Sequence, residues 1–210
     1  MSASLDPHQA YKLGTTEEHR RFYAEQALSY DQVFVEREGY VYPRQIAGCY
    51  AELACRDDVP IADLGCGTGL IGNHLKGRSL AIDGFDLSKA MLSEAARKDV
   101  YRHLHAVNLK FPVSDQANSY GALLSSGTFT LGHLGPNALA NCLDMARSGA
   151  LCVIGINAQH FDNAGFGSFF ESAEASARIC QLSFREARIY DQIPTTDRLN
   201  SARVAVFRTL

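Results

Sequence analysis

The chain of 210 residues has no tryptophan, three methionines and six prolines, and its Lys and Arg residues are never gathered into a run. Its formal net charge is −3. Nucleic-acid binding relies on a basic stripe that neutralises phosphates, so neither DNA nor RNA is expected as a partner. No apolar stretch approaches the length of a membrane span, so no membrane partner is expected either. Residues 1–10 are polar and lack the apolar core of a secretory leader, which makes a cytoplasmic location the expectation. The six cysteines (Cys49, Cys55, Cys66, Cys142, Cys152 and Cys180) form no C-x-x-C pair and meet no His-x-x-x-His partner. The common zinc patterns are therefore missing, no metal is expected, and the cysteines read mostly as reduced thiols among apolar neighbours.

What is present is ordinary for a soluble globular protein, with 46% hydrophobic and 20% charged residues. A chain of this length buries a core without disulfide or metal staples. No repeat, low-complexity tract or linker divides it. Residues 1–210 are expected to form one domain, with helices over residues 1–57 and a sheet core over 58–210. Apolar residues at helical spacing predict helices from Glu17 to Asp31 and from Tyr42 to Cys55, where Pro43 suits a first turn. From Val59 onward short apolar runs alternate with helical segments. Strands are expected at Pro60–Leu64, Leu80–Phe85, His103–Val107, Tyr120–Leu124 and Ala150–Ile156. Helices are expected at Leu70–Leu75, Ser88–Lys98 and Asn137–Met145, and two alternating tail segments, Ser183–Tyr190 and Ala202–Arg208, read as final strands. The segment from Asn163 to Phe170 reads as a loop. This alternation implies an α/β fold, a doubly wound sheet covered by helices on both faces, with ligands outside the carboxyl ends of the strands.

The first strand-to-helix turn is Asp63-Leu64-Gly65-Cys66-Gly67-Thr68-Gly69. Its glycines let backbone approach a ligand closely. Asp86, at the end of the second strand, is placed to accept hydrogen bonds from both hydroxyls of a ribose. Two cofactor classes fit this pattern. Gly67-Thr68-Gly69-Leu70-Ile71-Gly72 satisfies the G-x-G-x-x-G dinucleotide fingerprint, which allows a nicotinamide-dependent oxidoreductase. Asp63, however, would repel a pyrophosphate, whereas it suits a ligand that carries an ammonium group.

The run Asp63–Gly69 resembles motif I of the class I S-adenosylmethionine (SAM)-dependent methyltransferases, and Phe85-Asp86-Leu87-Ser88 resembles their acidic second motif. The resemblance extends over about Tyr30 to Ile156 at the level of fold. It implies a seven-stranded Rossmann-like sheet whose last strand inserts antiparallel, with an N-terminal helical lid. It also implies SAM as cofactor and S-adenosylhomocysteine (SAH) as product. The cofactor residues it implies are Asp63, Gly65, Cys66, Gly67 and Gly69 of the loop, then Asp86, Leu87, Ser88 and Met91. Asn108 and Leu109 follow the third strand, Ser125 and Ser126 the fourth. Where many members carry an Asp for the adenine amino group, this chain has Asn108, whose carbonyl is still an acceptor. From the lid, Tyr23, Tyr30 and Arg44 are expected near the methionine part, Arg44 through its planar fork.

His133, in the segment Ser125–Pro136, either serves as general base or substrate-positioning group, or holds its loop by hydrogen bonding to backbone. Tyr42, Phe129, Asn157, His160 and Phe161 are candidate substrate contacts, while Phe169 and Phe170 read as packing. The expected reaction is methyl transfer to a small-molecule substrate, in which alignment and exclusion of water matter more than a catalytic triad. A non-catalytic SAM-binding module is the other alternative. A nucleic-acid methyltransferase is disfavoured by charge and by the lack of an N-P-P-Y or D-P-P-Y segment after the fourth strand.

Overall fold

The computed structural model describes residues 15–33, 38–193 and 198–210. The first helix, α1 (Thr16–Gln26), is started by a capping box. The Thr15 side chain accepts from the Glu18 N–H, and the Glu18 carboxylate accepts from the Thr15 N–H. Helix α2 (Tyr42–Leu53) carries Pro43 in its first turn and buries Tyr42, Ile46, Ala47, Cys49 and Tyr50.

The sheet follows in the expected alternation: β1 (Ile61–Leu64), α3 (Leu70–His74), β2 (Ile82–Asp86), α4 (Lys89–Arg97) and β3 (His103–Ala106). Then come β4 (Tyr120–Phe129), α5 (Pro136–Leu143), β5 (Ala146–Asn157), α6 (Ala158–Ala164), α7 (Phe166–Ala175), β6 (Ile179–Arg188) and β7 (Ser201–Thr209). The seven strands run in the order β3-β2-β1-β4-β5-β7-β6. The first five are parallel; β7 inserts antiparallel between β5 and β6, with Val153 opposite Val206. A doubly wound dinucleotide sheet is parallel through its sixth strand, so this insertion separates the fold from the nicotinamide alternative.

Alternation along the strands builds a core on each face. Cys152, Ile154 and Ile156 of β5 point to one side, where α5, α6 and α7 supply Leu139, Cys142, Phe161, Phe166 and Phe170. Leu151 and Val153 point to the other, against Ile46 and Tyr50 of α2 and Ile71 of α3. A fully buried side chain such as Phe85 contributes about 1.5–3 kcal/mol relative to exposure.

Two expectations are corrected. The segment from Asn163 to Phe170 is not a loop: it contains the end of α6 and the start of α7, separated by Gly165 in the left-handed region. Phe166, Phe170 and Ala173 fall on one helical face, and their burial overrides the glycine-rich composition. Strand β4 runs five residues past Leu124, with an irregularity in its pairing to β5 between Ser125 and Phe129. Ser125–Phe129, expected to follow the fourth strand, therefore belongs to its end, and the active-edge loop begins at Thr130.

Candidate functional site

A cleft of ≈ 1040 Å³, measured out to its open mouth, lies at the carboxyl ends of β1, β2, β3 and β4. Its volume is in the range of small-molecule and cofactor sites. The floor is the glycine turn after β1, where the three glycines do different work. A Cβ at Gly65 would strike the Thr128 side chain, and one at Gly69 would meet Tyr101 and Ala95. Those two glycines are needed for packing. At Gly67, φ is +54° and a Cβ would meet nothing within 4 Å, so this residue alone leaves space for a ligand.

Asp86 forms the adjoining wall. Its Oδ2 accepts from the Gly67 N–H at 2.9 Å and its Oδ1 from the Ser88 N–H at 2.8 Å. Burial pushes this carboxyl upward, while the N–H groups of Ser88, Gly67 and Leu87 oppose the shift by favouring the charged form. Each oxygen of an ionised carboxylate has a further lone pair, so the group can still accept from two vicinal hydroxyls. Leu87, Met91, Val107 and Leu109 add an apolar slot beside it, with Met91 and Leu109 buried. Asn108 lines the same slot, with its Oδ1 accepting from the Lys110 N–H at 3.1 Å.

Asp63, expected to serve the ammonium end directly or through water, stands back from the cleft. It is fully buried at the end of β1 and is not part of the cleft wall. The Tyr101 hydroxyl donates to its Oδ2 at 2.7 Å, but its Oδ1 is buried with no partner. Desolvation raises the carboxyl to about 7; Tyr101 opposes the rise and the neighbouring Asp86 charge adds to it. A buried carboxylate oxygen without a donor is costly, and a cation arriving above the glycine turn would relieve it. Together, the open space at Gly67, the Asp86 acceptor and this orphaned oxygen fit a ligand with a ribose and an ammonium group.

The other end of the cleft is built by α1 lying across the β4–α5 loop. His19 Nε2 hydrogen-bonds the Gly132 carbonyl at 2.9 Å, and its ring lies 4.0 Å from that of His133. The Tyr23 hydroxyl is 3.3 Å from His133 Nε2. Burial, with added repulsion from His19, His160 and Lys110, pushes His133 down to about 3, so its imidazole is neutral at physiological pH. Lys110 reaches across the mouth to donate to Thr16 Oγ1 at 2.9 Å. A strap completes the lid: Thr68 Oγ1 donates to Asp31 Oδ1 at 2.5 Å, Lys98 pairs with Asp31 at 2.6 Å, and Lys98 also donates to the Thr68 carbonyl.

Of the residues singled out from sequence, Tyr23, Tyr30, Gly65, Cys66, Gly67, Asp86, Leu87, Ser88, Met91, Asn108, Leu109, Ser126 and His133 line the cleft. The others lie elsewhere for identifiable reasons. Arg44 is exposed, close enough to His74 to act on its titration, and Pro43 is the α2 residue that faces the cleft. Gly69 packs under Tyr101, and Ser125 is buried with its hydroxyl donating to the Leu64 carbonyl. Tyr42 is buried with its hydroxyl in the space a Cβ of Gly155 would need, and Phe129 is buried edge-on to Phe166. Asn157 caps α6 by accepting from the His160 N–H, and His160 Nε2 donates to the Leu134 carbonyl. Phe161 stacks with Phe166 and Phe170 beneath the Arg203 guanidinium. His19, Lys110 and Thr128 carried no signal of their own in the sequence as site residues, and all three line the cleft. Thr128 lay inside a segment already marked as active-edge, but the placement of His19 required knowing where α1 docks.

Residues 61–149 match the family model of a methyltransferase domain. Comparison with solved structures finds a TehB-like SAM-dependent methyltransferase from Corynebacterium glutamicum, 23% identical, with a TM-score of 0.64 over 90% of this chain and 100% of that one. A SAM-dependent methyltransferase from Thermotoga maritima, described as a possible histamine N-methyltransferase, is 15% identical with a TM-score of 0.61, covering 90% of this chain and 98% of that one. These likenesses establish the fold. A search of curated protein sequences finds no match.

Proposed function

We propose that this chain is a class I SAM-dependent methyltransferase, a reading supported by the methyltransferase-domain model that matches residues 61–149 and by the shared fold, and that it methylates a small-molecule acceptor bound beneath α1, against His133. The observation that carries this reading is the continuity of the cleft, which joins Gly67 and Asp86 at one end to His19, Tyr23 and His133 at the other. When bound, SAM supplies an electrophilic methyl group. The ribose would rest on Asp86, the adenine in the slot of Met91, Val107 and Leu109 beside Asn108, and the ammonium end above the glycine turn. Asp63 would act on that ammonium through an intermediary, since it does not line the cleft. The protein's part is alignment and the exclusion of water, achieved by strapping the lid to the glycine turn through Asp31.

A small acceptor is supported by α1, which contributes Thr16, His19, Arg20 and Tyr23 to the cleft lining, and by the absence of a basic run in a chain of net charge −3. Among the described residues no helix is long and apolar enough to cross a membrane. All six cysteines are free, which favours a reducing, cytoplasmic setting. Incubation with methyl-labelled SAM and a cell extract fractionated by size tests the reading. Label is expected in the low-molecular-weight fraction; label confined to tRNA, DNA or protein would contradict it.

A further inference from the structure

The acceptor end of the cleft contains hydrogen-bonding and positively charged groups but no carboxylate. Among the described residues the only acidic side chain lining the cleft is Asp86, at the cofactor end. Facing His133 are His19 and Tyr23 from α1, Lys110 from the segment after β3, and His160 from α6. The Arg20 charge at the mouth is answered by Glu17 on its own helix, which among the described residues leaves Lys110, bonded to the neutral hydroxyl of Thr16, as the cation there without an ion-pair partner. Among the described residues an ammonium-bearing acceptor would find no counter-charge at that end of the cleft. Burial, with Lys110 nearby, holds His133 neutral, which makes it a poor proton acceptor and a serviceable hydrogen-bonding group.

Resting on the cofactor reading above, we propose that the acceptor is anionic at its reacting atom, a thiolate or an oxyanion that binds already ionised, held by hydrogen bonds from His133 and Tyr23 and by the charge of Lys110. In the transfer the acceptor's lone pair forms the bond to the methyl carbon. The pair of the broken carbon–sulfur bond stays on sulfur, and no proton has to leave. Opposite charges meet and are neutralised, a change that a water-poor cleft favours. His133 and Tyr23 then specify where the anion sits, and the choice of nucleophile is made by charge.

The test uses the full chain saturated with SAH and four matched probes at pH 8: 4-nitrobenzenethiolate, 4-nitrophenolate, 4-nitrobenzyl alcohol and 4-nitrobenzylammonium, titrated by calorimetry. At least one anion is expected to bind about tenfold tighter than the ammonium probe, the sulfur and oxygen arms separating the two kinds of anion. Lys110→Gln is expected to weaken that anion by about three- to tenfold while the SAH affinity stays within about twofold. An ammonium probe that binds as tightly as the anions, anions that do not bind to the SAH-loaded protein, or a Lys110→Gln variant that leaves anion binding unchanged would overturn the proposal. Failure of SAH itself to bind would instead overturn the cofactor reading on which it rests.

Discussion

The buried carboxyl of Asp63 ties cofactor affinity to pH. In the empty protein it is raised from an ordinary 3.8 to about 7, chiefly by desolvation, and one of its oxygens has no donor. An ammonium group above the glycine turn favours the ionised form, so binding expels the proton. If the bound state restores the ordinary value, the group is about one-eleventh ionised in the empty protein at pH 6 and about ten-elevenths at pH 8, and affinity for SAH rises about tenfold over that interval. The sign follows from the direction of the shift. A carboxyl raised in the empty state and lowered in the complex makes binding tighter as pH rises through about 7. His133, pushed down to about 3, stays neutral across the interval and adds no slope. Asp86 is also raised by burial and slopes in the same sense, so Asp63→Asn isolates the Asp63 share. Calorimetry in buffers of different ionisation enthalpy reads both the affinity and the proton released. An affinity that is flat from pH 6 to pH 8, or a slope that persists unchanged in Asp63→Asn, would refute the reasoning.

Other perturbations probe separate parts of the cleft. Gly67→Ala places a methyl group in the ligand space at a residue with positive φ; it is expected to weaken SAH by tenfold or more, at a folding cost of about 1 kcal/mol, read by titration and thermal melting. Asp86→Asn keeps the shape but loses a charged acceptor, which should cost about 1.5–3 kcal/mol in SAH binding; retention of full affinity would remove Asp86 from the ribose site. Asp31→Ala cuts the strap between lid and glycine turn. Because Asp31 is partly exposed, stability should change by less than about 1 kcal/mol, while SAH dissociates several-fold faster in stopped-flow measurements.

The parallel half of the fold was legible because buried strands and amphipathic helices leave different periodicities, and Gly65, Gly67 and Asp86 were legible because their chemistry is local to one turn and one strand end. The long-range parts were not. His19 looks like any polar residue of a surface helix until α1 is laid over Gly132. Asp63 reads as a ligand from its place before the glycines, yet Tyr101, 38 residues away, holds it inside the wall. Asn157, His160 and Phe161 do follow β5 at the active edge, but the chain turns at once into α6, which spends them on a cap, a loop carbonyl and the core. Arg44 needed a rotational position on α2 that only packing decides, and burial of Tyr42 and Ile46 turns it outward.

The central claim is that the cleft between Gly67, Asp86 and the α1 lid is a SAM site. Parallel titrations of the full chain with SAH and with NADH test it most directly. The account predicts one SAH bound per chain, weakened by Asp86→Asn, and no NADH binding. Binding of NADH without binding of SAH would contradict it.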